Sequence, residues 1–177
     1  MRHLNRTTGL TLLFISSLGC AAHPPAAALP PPTQATEMRL DPEALAAWGR
    51  TLKVQAGTSG VAGIETRNIK GNPKSSEVYT IVLTVPPNTR IAAHAHPDDR
   101  VAVVMSGTWY FGYGDQFNDA SLRPLPPGSF YTEPPGVRHF ARTGDTAAVV
   151  LITGFGPTGT MYANPADDPR GSASATK

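Results

Sequence analysis

Apolar and polar positions alternate with a two-residue period over a series of short runs in the middle of the chain, and each run ends in turn-forming residues. The runs predict strands near Val61 to Ile69, Val78 to Val85, Arg100 to Met105, Thr108 to Tyr113, Ser129 to Thr132, His139 to Arg142 and Ala147 to Thr153. Pro86-Pro87-Asn88, Ser106-Gly107, Pro126-Pro127-Gly128 and Pro134-Pro135-Gly136 break them apart, so the strands are short and return often, as in a double-sheet roll or small barrel. Helical periodicity occurs once: Asp41, Pro42 and Glu43 form a cap, a first-turn proline and a dipole-matching acid, and Leu45, Trp48 and Leu52 share the face that follows. The predicted class is all-β with one short N-terminal helix.

Composition agrees with this reading. The 17 glycines and 18 prolines in 177 residues argue against a helical bundle or long coiled coil. With 15 basic and 13 acidic residues the formal charge is +2, too balanced for a nucleic-acid footprint, so no nucleic-acid partner is expected.

The ends differ from the middle. Arg2, His3 and Arg6 precede an apolar run from Leu10 to Leu18, which has the polarity order of a secretory signal over residues 1–20 and is too short to span a bilayer. The run ends at Ser17-Leu18-Gly19-Cys20, which resembles a bacterial lipobox, although Ser17 stands where a branched apolar residue is usual. Lipidation of Cys20 would tether the protein to a membrane; cleavage among Cys20, Ala21 and Ala22 would leave a soluble exported domain. Either way the expected location is the periplasm or cell envelope. Residues 21–37 are rich in Pro and Ala and read as a spacer, 38–165 as one folded domain and 166–177 as a loose tail. No second cysteine is present, so a disulfide or a cysteine metal cluster is excluded.

Of five histidines, only His94, His96 and His139 fall in the predicted domain. Residues two apart in an extended strand project on one face, so His94 and His96 can reach one ion, with His139 arriving from another strand. Three imidazoles from two segments suit a divalent metal with open positions for water or substrate. The same residues could instead serve packing alone.

Spacing ties the three together. Asn88, five residues, His94-Ala95-His96, three residues, Arg100, six residues and Gly107 follow one pattern; Gly128, five residues, Pro134-Pro135-Gly136, two residues, His139, three residues and Thr143 follow a second. The two resemble the paired motifs of the cupin superfamily, G-x5-H-x-H-x3-E-x6-G and G-x5-P-x-G-x2-H-x3-N. The resemblance implies a conical antiparallel β-barrel (a double-stranded β-helix or jelly roll), an interior metal on His94, His96 and His139, and pairing of two copies through edge strands.

The departures carry chemistry too. Arg100 stands where cupins commonly place a metal-binding glutamate, and a guanidinium cannot ligate a cation. At about 6 Å from a dication it would be repelled by roughly 5 kcal/mol at an effective dielectric of about 20. A negative group should lie between them: Glu133, Asp98 or Asp99, as ion-pair partner or fourth ligand, or else the substrate itself. The alternative sends Arg100 to the rim. Trp109, Tyr110, Phe111, Tyr113, Phe130, Tyr131 and Phe140 surround the motifs, and one inward tyrosine, with Tyr110 as the candidate, could contact substrate.

Three neutral imidazoles leave an ion's double charge uncompensated, which favours anionic or chelating ligands. Resemblance to three-histidine cupins makes an Fe(II)-dependent dioxygenase acting on a small oxygenated molecule the leading expectation, with Arg100, Glu133 and Tyr110 as catalytic candidates. Manganese, nickel, zinc and copper also suit imidazoles, and isomerase, lyase or non-catalytic binding roles remain alternatives.

Overall fold

The structure, a computed structural model, describes residues 37–171. The export signal, Cys20, the spacer up to residue 36 and the last six residues lie outside the described residues. Helix α1 (Pro42–Thr51) is capped as its sequence requires: the Ala44 amide donates to Asp41 Oδ1 at 2.8 Å. None of its residues is fully buried.

Among the described residues eleven strands follow: β1 (Gln55–Ala56), β2 (Glu65–Lys70), β3 (Val78–Val85), β4 (Arg90–Ala95), β5 (Arg100–Ser106), β6 (Trp109–Tyr113), β7 (Arg123–Leu125), β8 (Phe130–Glu133), β9 (His139–Thr143), β10 (Ala148–Phe155) and β11 (Met161–Tyr162). They form a six-stranded sheet in the order β1-β2-β3-β10-β5-β8 and a five-stranded sheet in the order β11-β4-β9-β6-β7, antiparallel throughout. The expected barrel thus takes the form of two facing sheets that are not joined into a closed cylinder.

Alternation builds the interior. On β10, Ala148, Val150 and Ile152 are buried while Val149, Leu151 and Thr153 are half-buried, so Val150 and Ile152 each contribute about 1.5–3 kcal/mol. One core cluster joins Ile81, Val150 and Ile152 of the larger sheet to Ile91, Trp109 and Phe111 of the smaller. The first predicted strand begins later than its apolar pattern, because Gly63 has φ of 80° and the chain turns before Glu65. Sequence alternation did not reveal β4, whose period is interrupted by an irregularity between Ile91 and His94, nor the two-residue strands β1 and β11 and the three-residue β7, which are too short to show a period.

Motif turns hold the frame. Gly107 has φ of 73° and a Cβ there would stand 2.1 Å from the Ala147 carbonyl, so only glycine fits this reversal. Asn88, which replaces the motif's first glycine, has φ of 53°, a conformation that asparagine tolerates. Thr143, which replaces the motif's last asparagine, donates to the Pro86 carbonyl at 2.6 Å and accepts from the Thr89 amide at 2.9 Å, locking the β3–β4 turn to β9.

The segment 166–171, expected to be loose, is held by Arg170. Its guanidinium donates to the Thr58 carbonyl at 3.1 Å and the Thr160 carbonyl at 2.9 Å while pairing with Asp168 at 2.7 Å.

Candidate metal centre

The histidine pair owes its direction to an irregularity in β4. Ile91 pairs with Ala141 and His94 with His139, so two residues of β4 lie opposite one residue of β9 between these pairs. Such a bulge switches the inward face from odd to even positions. Ile91 points into the core before it, and His94 and His96 point into the same interior after it. The third imidazole comes from the neighbouring strand: after the turn Pro134 to Val137, where the Gly136 amide donates to the His96 carbonyl at 2.9 Å, β9 begins with His139 as the register partner of His94.

The three imidazoles are buried and adjacent, with ring centroids 5.0 Å apart for His94 and His96, 4.4 Å for His94 and His139, and 5.2 Å for His96 and His139. One ring nitrogen of each lies within 4.8 Å of one nitrogen of the others. Two donors bonded at about 2.1 Å to one ion stand up to about 4.2 Å apart, so small ring movements bring all three into range.

Hydrogen bonding selects the nitrogen. Nδ1 of His94 faces the Ala92 carbonyl at 2.7 Å, Nδ1 of His139 faces the Val137 carbonyl at 3.1 Å, and Nδ1 of His96 faces the Gly159 carbonyl. Carbonyls only accept, so each Nδ1 carries the hydrogen and each Nε2 keeps its lone pair. Arg100 Nη1, 3.2 Å from His96 Nδ1, is therefore a close neighbour of that nitrogen and not its hydrogen-bond donor. Nε2 of His96 and of His139 are buried without a hydrogen-bond partner, an unfavourable state that a cation relieves. Burial lowers the His94 and His139 pKa values to about 4, with the other cations of the site adding to the effect, and holds His96 still lower. The rings are neutral at pH 7, as ligands must be.

Arg100 is not at the rim. It is 5% exposed, points inward from β5 and forms a direct ion pair through Nη2 with Glu133 Oε2, its cross-strand partner on β8. Burial works against the guanidinium charge, and Glu133 together with Tyr79, Tyr131 and Asp98 more than offsets it, raising the Arg100 pKa. Glu133 is also turned toward the imidazoles: Oε2 is 3.5 Å from His96 Nε2, and Oε1 is 3.8 Å from His139 Nε2. The anticipated negative group between Arg100 and the ion is thus Glu133. Asp98 is buried but accepts from the Tyr79 hydroxyl at 2.6 Å, and Asp99 is exposed.

The inward tyrosine is Tyr131, not Tyr110. Trp109 and Phe111 take the inward positions of β6, which leaves Tyr110 half-buried on the other face, with the Arg142 guanidinium 4.3 Å over its ring. Tyr131 lies two residues before Glu133 on the same face of β8, is 7% exposed, and has its pKa raised well above the ordinary tyrosine value by burial and the nearby Glu133 charge. Strand alternation could have found it by counting back from Glu133. The Tyr79–Asp98 pair was not foreseen, because it joins strand β3 to the loop before β5.

The three imidazoles, Arg100, Glu133 and Tyr131 line one cavity of about 320 Å³ between the sheets. Its walls also include Ile81, Leu83, Ile91, Trp109, Phe111 and Ile152. The donor set fits one divalent ion held by three imidazole Nε2 atoms, with Glu133 at its side.

No protein-family profile matches the chain, and no curated protein matches it in sequence. Solved structures do resemble it. A polyketide cyclase of Streptomyces resistomycificus is 16% identical, with 80% of this chain and 95% of that one covered at a TM-score of 0.58. A DMSP lyase of Ruegeria pomeroyi is 20% identical, with 73% and 80% covered at a TM-score of 0.53. A sugar phosphate isomerase of the cupin superfamily from Silicibacter pomeroyi is 17% identical, with 60% and 73% covered at a TM-score of 0.49. The fold is that of the cupins.

Proposed function

We propose that the protein is a metal-dependent enzyme acting on a small, anionic, oxygenated molecule, with Fe(II) the favoured ion and dioxygen-dependent cleavage the leading reaction. The observation that carries the proposal is the convergence of three buried imidazoles whose Nδ1 atoms are all committed to backbone carbonyls. A bound divalent ion supplies a Lewis-acidic centre with open positions for substrate and dioxygen.

The chain's own groups define what happens around it. The Arg100–Glu133 pair is neutral overall, so the positive charge of the centre remains for an anionic substrate to balance. Glu133 is placed to complete the ligand set or to hold a proton beside the open side, and Arg100 fixes its orientation. Tyr131 stays protonated and presents a neutral hydroxyl to the cavity, while the aliphatic and aromatic walls exclude water.

A lyase reading is supported by the activities of the similar structures, which include a lyase and a cyclase, and an isomerase is a related alternative. A non-catalytic binding protein of the cell envelope is a further reading, supported by the signal-like N-terminus. One experiment separates the three. Anaerobically purified protein is assayed for bound metal, then for oxygen uptake and product formation with small keto acids, diketones and phenols. Oxygen uptake supports the dioxygenase; turnover without oxygen supports a lyase or isomerase; stoichiometric metal with no turnover supports binding alone. Absence of metal after reconstitution removes all metal-based readings. Export, with or without lipid on Cys20, and pairing of two copies belong to the same proposal; the mass of the mature protein and its sedimentation test them.

A further inference from the structure

Two hydrogen-bond donors in the cavity wall have no partner. Trp109 Nε1 and Tyr131 Oη are both buried and neither closes a hydrogen bond. Trp109 opens β6 in the smaller sheet and Tyr131 lies on β8 in the larger, so the two reach the interior from opposite sides; the indole N–H is turned toward the Tyr131 oxygen and the Tyr131 hydroxyl toward Glu133, but neither contact reaches hydrogen-bond geometry. Each side chain is more than nine-tenths buried, at 3% and 7% exposure, and both line the cavity.

A buried donor left unanswered costs about 1–3 kcal/mol. Glu133, the acid beside Tyr131, is taken up by Arg100 and faces the imidazoles. Ile81, Ile152 and Phe111 of the wall offer no acceptor, and its polar members, such as Thr66 and Asn68, make no hydrogen bond to either donor. The subsite adjoins the metal centre, because the Phe111 ring lies 4.4 Å from the Tyr131 ring and stacks 5.3 Å from that of His139. At about 320 Å³ the cavity is at the small end of ligand pockets, yet far larger than one water needs.

We propose that Trp109 Nε1–H and Tyr131 Oη–H form a second anchoring subsite, so that the cavity takes a small anion with a compact apolar body that carries a carbonyl oxygen besides the oxygen that meets the ion. The inference rests on the metal-site reading and narrows it to keto acids and related carbonyl anions. Hydrogen bonds to two buried donors discriminate strongly against an analogue that lacks the acceptor, since both donors are then left unpaired.

The test uses the zinc-loaded full chain and two probes that differ by one oxygen, phenylpyruvate and 3-phenylpropanoate, with binding measured by calorimetry. Phenylpyruvate should bind at least tenfold more tightly, and Tyr131→Phe and Trp109→Phe should each shrink that preference severalfold while zinc content is retained. Chelation through the keto oxygen also favours phenylpyruvate, but it does not depend on either wall residue. A preference that survives both substitutions overturns the proposal, as does failure of the zinc-loaded protein to bind either probe. Should Trp109→Phe fail to fold, Tyr131→Phe decides together with a Trp48→Phe variant, in which Trp109 is the sole indole. Its emission must shift with phenylpyruvate and not with 3-phenylpropanoate; equal or absent shifts contradict the subsite. If zinc itself does not bind, the metal-site reading fails, a separate result.

Discussion

Arg100 and Glu133 face each other across the β5–β8 ladder as register partners, and their side chains form a buried ion pair beside the three imidazoles. This pair resolves the charge problem that an arginine near a dication poses. The carboxylate pairs with the guanidinium and faces Nε2 of His96 and of His139, so it offsets at short range the repulsion anticipated from Arg100 alone.

Breaking this pair from one side leaves a buried charge alone, which costs about 3–5 kcal/mol. Arg100→Met and Glu133→Leu should each lower stability by a large part of that range, and the two combined should cost clearly less than the sum. Denaturant unfolding of the four proteins checks this. Additive losses would show that the two side chains do not act as a unit.

The pH dependence follows from the imidazoles. His94 and His139 titrate near 4 in the folded protein and near 6.5 when unfolded, so the unfolded chain binds more protons between these values. Stability of the metal-free protein is therefore full above about pH 6.5 and lost as pH falls toward 4, by on the order of a few kcal/mol. Metal should be retained down to about pH 5, since protons compete for the nitrogens only as pH nears the folded values. Unfolding curves and metal content after dialysis at stepped pH test both statements; metal loss already at pH 6.5 would contradict the buried, neutral site.

Tyr110 and Tyr131 should separate cleanly. Tyr110→Phe removes a hydroxyl from the outward side of β6 and should leave metal content and ligand binding unchanged, with stability altered by less than about 0.5 kcal/mol. A clear loss of ligand binding in Tyr110→Phe would place the wrong tyrosine in the cavity.

Much of the architecture was legible from residue spacing. The Asp41-Pro42 cap, the His94-x-His96 pair and most of the longer strands follow from short-range patterns, because caps, turns and strand alternation are set within a few residues, whereas β4 was missed and His139 joined the pair only through the likeness to the cupin motifs. Tyr110 was misassigned because period-two alternation fixes which residues share a face without saying which face is inside. The burial of Trp109 and Phe111 settles that on β6. The bulge in β4 was hidden because it depends on register against β9, some forty-five residues away in sequence. The Arg100–Glu133 pair was one of several options for the same reason: ladder register decides which acid meets which base.

The most direct test of the account is metal binding by the full chain and its histidine variants. Cobalt(II)-loaded wild-type protein should bind one equivalent and show the visible absorption of a low-coordinate, histidine-bound ion. His94→Ala, His96→Ala and His139→Ala should each lower affinity at least a hundredfold while the β-sheet circular dichroism signal persists. Full occupancy in the His139 variant, or no binding by the wild type, would contradict a shared centre built from β4 and β9.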